Sequence, residues 1–256
     1  MEIRYKYIGI KEYDRQGYAH LQELIRKKPI AEIAEIFALC IYDRLNRLGK
    51  GGYSSRYDGV AYLYKHDYPA FLNILRLLEN SIPVLNLATD PTVLGAVSTI
   101  AGIKAPALST KPVVMYHSKA CGDYSTDWHV DSYSIQGSSN CAVLWIPLNS
   151  MTKSNGILQV ATGTHKEHTP ISDFSEGFGT VDVKDLRGKL IEDVAETLDI
   201  GDAVLFNSDL VHKSGDMREG VSRMTLQLRY NDILDTEYME RGWPNPYKYY
   251  PERLYD

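Results

Sequence analysis

His129-Val130-Asp131, followed far downstream by His212 and then Arg223, is the set of residues whose types and spacing can do chemistry. Two imidazoles and one carboxylate are the donor set of the facial triad that holds non-haem Fe(II) with positions open for oxygen chemistry. Positions 129 and 131 lie two apart, so an extended backbone turns both side chains to one face and Val130 to the other. Trp128 and Tyr133 flank the pair as an aromatic rim. A buried arginine such as Arg223 needs an anionic partner, and a planar guanidinium takes a carboxylate through two parallel hydrogen bonds.

The triplet alone proves little. With 7 His and 33 Asp+Glu, chance supplies about one His-x-acid triplet in a chain of this length. A rival, His165-Lys166-Glu167, is present. The elements that must position these residues therefore decide the matter.

Up to about residue 105 the pattern is mostly helical. Ile33, Ile36, Phe37, Cys40, Ile41, Leu45 and Leu48 recur at three-and-four spacing, predicting an amphipathic helix over 30–48 stopped by Gly49-Lys50-Gly51-Gly52. That glycine cluster lacks the spacing of a phosphate loop and reads as a turn. Phe71, Ile74, Leu75 and Leu78 predict a second helix over 68–80, and Asp90-Pro91 opens a third over 91–101 as cap and first-turn proline. Arg26-Lys27-Lys28 reads as favourable charge closing a predicted helix.

From Lys111 onward short β-rich runs recur: Pro112–Tyr116, Cys141–Pro147, Gly156–Ala161, Ala203–Asn207 and Arg223–Tyr230. Gly, Asn, Ser and Asp clusters separate them, as in a sandwich or barrel. In the last run Met224, Leu226, Leu228 and Tyr230 share one face, with Arg223, Thr225, Gln227 and Arg229 on the other. An ordinary sheet turns such a polar face to water; in a jelly roll with N-terminal helices over the apolar face, the inverted arrangement points it inward to a wet cavity.

Composition bounds the rest. The hydrophobic share of 44% allows a sizeable core in 256 residues. A net charge of −5 without a basic stripe argues against a nucleic-acid partner. No apolar run reaches the roughly 20 residues a membrane span needs, and the start shows no secretory h-region. Cys40, Cys121 and Cys141, odd in number and widely spaced, read as reduced thiols of a cytoplasmic protein.

Three stretches resemble the phytanoyl-CoA dioxygenase-like branch of the Fe(II)/2-oxoglutarate-dependent oxygenases. They are Asp127–Asp131 with Trp145 in the following strand, Ser154–Lys166, and Gly201-Asp202 through His212, Ser214 and Arg223 to Arg229-Tyr230. Together they span roughly 110–231. The resemblance implies a double-stranded β-helix (a jelly-roll, cupin-like core) over 106–231. Helical support over 1–105 packs outside one sheet and a C-terminal extension covers 232–256, all in one domain.

By this resemblance His129, Asp131 and His212 bind Fe(II). Arg223 and Ser214 hold the distal carboxylate of 2-oxoglutarate, with Trp145 beside it and Lys111 and Tyr116 as further co-substrate neighbours. Trp128, Tyr133, Gln136, Gln227 and Arg229 are expected around the substrate. His165 and His168 become turn and loop residues. The activity implied is oxidation of a C–H bond of a small polar metabolite with O2, giving succinate and CO2. Related halogenases lack the carboxylate, so Asp131 favours hydroxylation, with desaturation, ring closure and epimerisation open to the same site. No basic cluster argues for an acyl-CoA substrate. Segments 49–59 and 165–188 read as lids or as solvated loops. Two alternatives stay open: a metal-dependent cupin-type isomerase that would not need Arg223, and a non-catalytic binding module, against which the intact triad counts.

Overall fold

Apolar residues at three-and-four spacing build a helical layer from the first third of the chain. A computed structural model describes residues 2–52, 56–122, 125–174 and 179–244. It places α1 at Glu2–Gln16, α2 at Lys27–Arg47 and α3 at Arg56–His66. α4 (Tyr68–Glu79), α5 (Ile82–Ala88) and α6 (Pro91–Ile100) follow. The helices expected over 30–48, 68–80 and 91–101 are α2, α4 and α6. On α4, Phe71, Ile74, Leu75 and Leu78 are buried, each contributing about 1.5–3 kcal/mol relative to exposure. Asp90 caps α6 by accepting the Thr92 backbone N–H at 2.8 Å. Gly49, with φ +68°, stops α2 where expected.

Contrary to expectation, Arg26-Lys27-Lys28 opens α2 and closes no helix, because Pro29 suits a first turn and cannot lie inside a helix end. The cluster therefore sits at the unfavourable end of the helix dipole. Among the described residues it is offset by Arg26 to Asp90 at 3.8 Å and Lys28 to Glu32 at 4.0 Å.

The first third also yields a strand, β1 (Tyr18–Leu21), which the sequence pattern did not announce. β2 (Pro106–Leu108), β3 (Val113–His117) and β4 (His129–Val130) precede a one-turn helix, α7 (Ser132–Ile135). β5 (Ala142–Pro147), β6 (Met151–Thr152), β7 (Gln159–Ala161), β8 (Gly179–Thr180) and β9 (Ile191–Asp193) come next. β10 (Thr197–Leu198), β11 (Ala203–Asn207), β12 (His212–Lys213), β13 (Arg223–Asp232) and α8 (Thr236–Glu240) complete the order.

Two antiparallel sheets dominate. The larger runs β1-β11-β5-β13-β2, with β3 also on β13; the smaller runs β8-β4-β12-β7-β9. The two-residue alternation of the larger sheet sorts side chains between two environments. Met224, Leu226, Leu228 and Tyr230 of β13 join Leu144 and Ile146 of β5 in a core shared with Phe37, Leu75 and Val97 of the helices. The opposite face gives Val143, Trp145, Val204 and Phe206 to a core with Leu158 and Val160 from the smaller sheet side. Helices thus cover the outer face of the larger sheet, and its polar residues on β13 point inward, as the inverted reading expects.

Among the described residues no helix is long and apolar enough to cross a membrane. The C-terminal extension beyond residue 244 falls outside the described residues, as do parts of both segments read as lids or solvated loops, at 53–55 and 175–178.

Candidate metal centre and cavity

β4 and β12 pair with His129 directly opposite His212, which brings the two imidazoles together with ring centroids 4.2 Å apart. Each ring is oriented in the same way. His129 Nδ1–H donates to the Asp127 carbonyl at 2.7 Å and His212 Nδ1–H to the Leu210 carbonyl at 2.8 Å. A carbonyl only accepts, so the proton of each ring sits on Nδ1 and the Nε2 lone pairs are left for a metal.

Asp131 follows β4 and leaves the strand at φ −76°, ψ −28° to take the N-cap position of α7, while its backbone N–H donates to the Ser208 carbonyl at 3.0 Å. Its Oδ1 lies 3.9 Å from His129 Nε2. The ligating atoms of His129, Asp131 and His212 all lie within 4.8 Å of one another, and all three residues are buried. Among the described residues no other such cluster of His, Cys, Asp and Glu occurs.

The electrostatics suit a divalent cation. Burial pushes His212 down to about 3, with His129 adding to the effect, so the ring is neutral and able to ligate. Burial would raise the Asp131 carboxyl, but Arg229, His212 and His129 outweigh it and hold it at about 2. Near neutral pH the set therefore includes an ionised Asp131 carboxylate and a neutral His212 imidazole.

Arg223 opens β13 and is 4% exposed. Its Nη2 donates to Ser214 Oγ at 3.0 Å and its Nη1 to the Gly156 carbonyl, while Nε has no partner. Burial lowers its pKa to about 10, which still leaves it charged. No carboxylate of the described residues pairs with it. Gly156 reaches this position at φ +73°, and a Cβ there would lie 2.6 Å from the Gly215 carbonyl oxygen. Only glycine fits, so the Asn155-Gly156 turn serves the site by supporting Arg223.

A cavity of about 330 Å³ joins these groups. Of the expected residues, His129, Asp131, His212, Arg223, Ser214, Trp145, Lys111, Gln227 and Arg229 line it. Lys111 is ion-paired there to Glu79, a buried residue of α4.

Four expected residues lie elsewhere. Tyr116 is on the even face of β3 and packs into the helical core against Phe37 and Phe71, ring centroids 5.7 and 6.4 Å away. Trp128 faces away from His129, packing with Val130, Val181 and Val211 under the Lys213 ammonium. Tyr133 is exposed, and Gln136 ends α7 in the left-handed region at φ 48°. In each case the two-residue alternation or the turn of α7 carries the side chain off the cavity. His165 sits in a 3-10 turn beside the Asp14 carbonyl, as its turn reading expects.

The cavity also takes residues that the sequence pattern did not single out. Val113, Met115 and His117 come from the odd face of β3, with Thr126, Ser134, Leu158, Phe206 and Thr225 from elsewhere. Strand alternation offered a signal for Thr225 and for the β3 face. Thr126, 3.3 Å from Ser214 Oγ, is a tertiary neighbour with no local signal.

The family model described as phytanoyl-CoA dioxygenase (PhyH) matches residues 13–225. Phytanoyl-CoA dioxygenase 1 of Oryza sativa subsp. japonica is 30% identical over 125 residues, covering 46% of this chain and 42% of the rice protein. The match thus spans less than half of that relative's length. Among solved structures, the epimerase SnoN in complex with Fe3+, alpha ketoglutarate and nogalamycin RO is 17% identical with TM-score 0.60. That alignment covers 89% of this chain and 83% of SnoN. EctD from S. alaskensis with 2-oxoglutarate and 5-hydroxyectoine is 18% identical with TM-score 0.62, covering 88% of this chain and 76% of EctD. The carbocyclase SnoK is 16% identical with TM-score 0.58, covering 93% of this chain and 91% of SnoK. At these identities the shared property is the fold.

Proposed function

The chain belongs to the phytanoyl-CoA dioxygenase family, and from that premise we propose that it is an Fe(II)- and 2-oxoglutarate-dependent oxygenase of a small polar metabolite. The observation that carries this reading is the placing of buried Arg223, with an unpartnered Nε, in the cavity that holds His129, Asp131 and His212. A metal-dependent isomerase on the same frame has no use for that cation. The two facing sheets with helices outside support a double-stranded β-helix. The cores shared by helices and sheets support reading 1–256 as one domain. The free Cys40, Cys121 and Cys141 fit a cytoplasmic setting.

The residues fit both groups. His129 and His212 offer Nε2 and Asp131 offers Oδ1, three donors on one side of a site, which is the arrangement that leaves positions open. Arg223 and Ser214 form a cationic hydrogen-bonding end for the distal carboxylate of 2-oxoglutarate, beside Trp145. When bound, iron and 2-oxoglutarate together activate O2 to oxidise a C–H bond, with succinate and CO2 as co-products.

The chain's own contribution is binding, orientation and exclusion of water. Asp127 and Leu210 carbonyls fix the imidazole rings, so no tautomer change is needed before metal enters. Arg223 sets the direction in which 2-oxoglutarate lies by taking one end of it. Val113, Met115, Leu158 and Phe206 supply apolar wall, and Lys111, Ser134 and Gln227 supply polar edges for the substrate. A cavity of this size shared with the co-substrate favours a metabolite of modest size. Asp131 fills the carboxylate position, so hydroxylation is the proposed outcome.

The test is a metabolite-library screen for succinate formation that is stimulated by a compound and requires iron, 2-oxoglutarate and O2. The expected product gains one oxygen atom. Turnover that persists without 2-oxoglutarate or O2 would overturn the proposal in favour of the isomerase.

A further inference from the structure

Arg229 lies one step of alternation beyond Gln227 and two beyond Thr225 on β13, on the face that lines the cavity. Its position invites a role in gripping substrate, but two of its hydrogen bonds go to side chains of the cavity itself. Nε donates to Asp131 Oδ2 at 3.3 Å, and Nη2 donates to Gln227 Oε1 at 2.8 Å. The other carboxylate oxygen, Oδ1, is the one turned toward His129 Nε2, at 3.9 Å. The two oxygens of Asp131 are thus divided between the guanidinium and the imidazole side.

The bond also joins separate parts of the fold. Arg229 sits on the central region of the larger sheet, paired through β13 with Val143 of β5. Asp131 follows β4 of the smaller sheet. Gln227 holds the guanidinium at one end and reaches Met115 Sδ of β3 with its amide, at 3.1 Å. Gln227 of β13, itself held by Met115 of β3, and Asp131 beyond β4 therefore hold the cation before any ligand arrives.

The geometry points to Arg229 as the residue that positions Asp131, committing one carboxylate oxygen to the guanidinium and presenting the other to the metal, and not as a substrate anchor. The inference rests on the metal-site reading above. An aspartate side chain can exchange its two oxygens by rotation, and ordering it costs entropy when metal binds. A buried carboxylate without a counter-charge is also costly to keep. Arg229 meets both needs, and Gln227 meets the corresponding need for the arginine itself, whose side chain has several rotatable bonds. Hydrogen bonding of ligating carboxylates is worth roughly 10- to 100-fold in metal affinity where it has been removed.

The test compares wild type with Arg229→Gln, Arg229→Lys and Gln227→Leu. Fe(II) and Co(II) affinities are measured anaerobically by competition with a chelator, the visible spectrum of bound Co(II) is recorded, and 2-oxoglutarate affinity is read at saturating iron. Arg229→Gln is expected to weaken metal binding by about 10- to 100-fold and to alter the Co(II) spectrum. Arg229→Lys should recover part of the loss, and Gln227→Leu should show a smaller loss of the same sign. The 2-oxoglutarate affinity at saturating iron should stay at the wild-type level, because Arg223 is untouched; a purely structural defect would not leave it so. Wild-type metal affinity and spectrum in Arg229→Gln would overturn the inference. Should that variant fail to fold, wild-type metal binding in both Arg229→Lys and Gln227→Leu overturns it equally. A wild-type chain that binds no iron would overturn the metal-site reading itself, and this inference with it.

Discussion

His129 and His212 face each other across a single antiparallel register pair, and each ties its Nδ1 to the carbonyl two residues before it. The repetition means that one backbone arrangement orients both rings. A strand register fixes where the two imidazoles stand, and a local turn of the ring fixes which nitrogen faces the cavity. Asp131, two residues after His129, then needs only the turn into α7 to bring Oδ1 alongside. Backbone geometry thereby brings the three side chains together without any ligand.

Arg223 is the second fixed point. Replacing it with alanine should weaken 2-oxoglutarate binding by roughly 10- to 100-fold, since hydrogen bonds to a charged group contribute about 1.5–3 kcal/mol. Iron affinity measured without 2-oxoglutarate should be unchanged. Tyr116→Phe serves as the control, because Tyr116 packs into the helical core and should leave 2-oxoglutarate affinity as it is. Titration of the iron-loaded variants with 2-oxoglutarate checks both; equal affinity in Arg223→Ala and wild type would count against the assignment.

Gly156 gives a prediction about folding and function together. Its φ is +73°, and any Cβ at this position would meet the Gly215 carbonyl oxygen at 2.6 Å, so no side chain fits without a shift of the backbone. Gly156→Ala should cost about 1–2 kcal/mol for the left-handed backbone alone, with a further loss from the contact. Because the Gly156 carbonyl accepts from Arg223, 2-oxoglutarate affinity should fall in the same variant. Thermal unfolding and 2-oxoglutarate titration read the two effects, and an alanine variant as stable as wild type would contradict the geometry.

Much of this was legible in the sequence, for identifiable reasons. The helices α2, α4 and α6 carry dense apolar periodicity or a cap, and β13 alternates from Arg223 to Tyr230. The triad and Arg223 were picked out by the resemblance of three stretches to the phytanoyl-CoA dioxygenase-like branch, since the triplet alone matches chance and has a rival in His165-Lys166-Glu167. What was not legible depends on register and tertiary contact. Tyr116 and Met115 are adjacent in an apolar run, and only the pairing of β3 with β13 decides which enters the cavity. β1 is four residues long, and its strand character comes from pairing with β11 at the other end of the chain. Arg229 was placed on the correct face, but its bond to Asp131 joins two strands that no local pattern connects.

The metal-free protein should be sensitive to acid. His212 titrates near 3 when folded against a usual value of 6.5, so between those values the unfolded chain binds a proton that the folded chain does not. Stability should therefore fall as pH drops from 6.5 toward 3. Asp131, held at about 2 against 3.8, contributes stability present above 3.8 and lost as pH falls toward 2, a loss of the same sign. Thermal midpoints of chelator-treated protein across this range check the expectation. His212→Gln should flatten the upper part of the curve, and identical pH dependence in both proteins would contradict it.

As proposed above, His129, Asp131 and His212 hold iron in the cavity where Arg223 receives 2-oxoglutarate. The most direct measurement is the visible charge-transfer band formed when Fe(II) and 2-oxoglutarate are added anaerobically. The band should form in the wild-type chain and be lost in both His129→Ala and His212→Ala. A band that persists in both variants, or that never forms in the wild type, would contradict the claim.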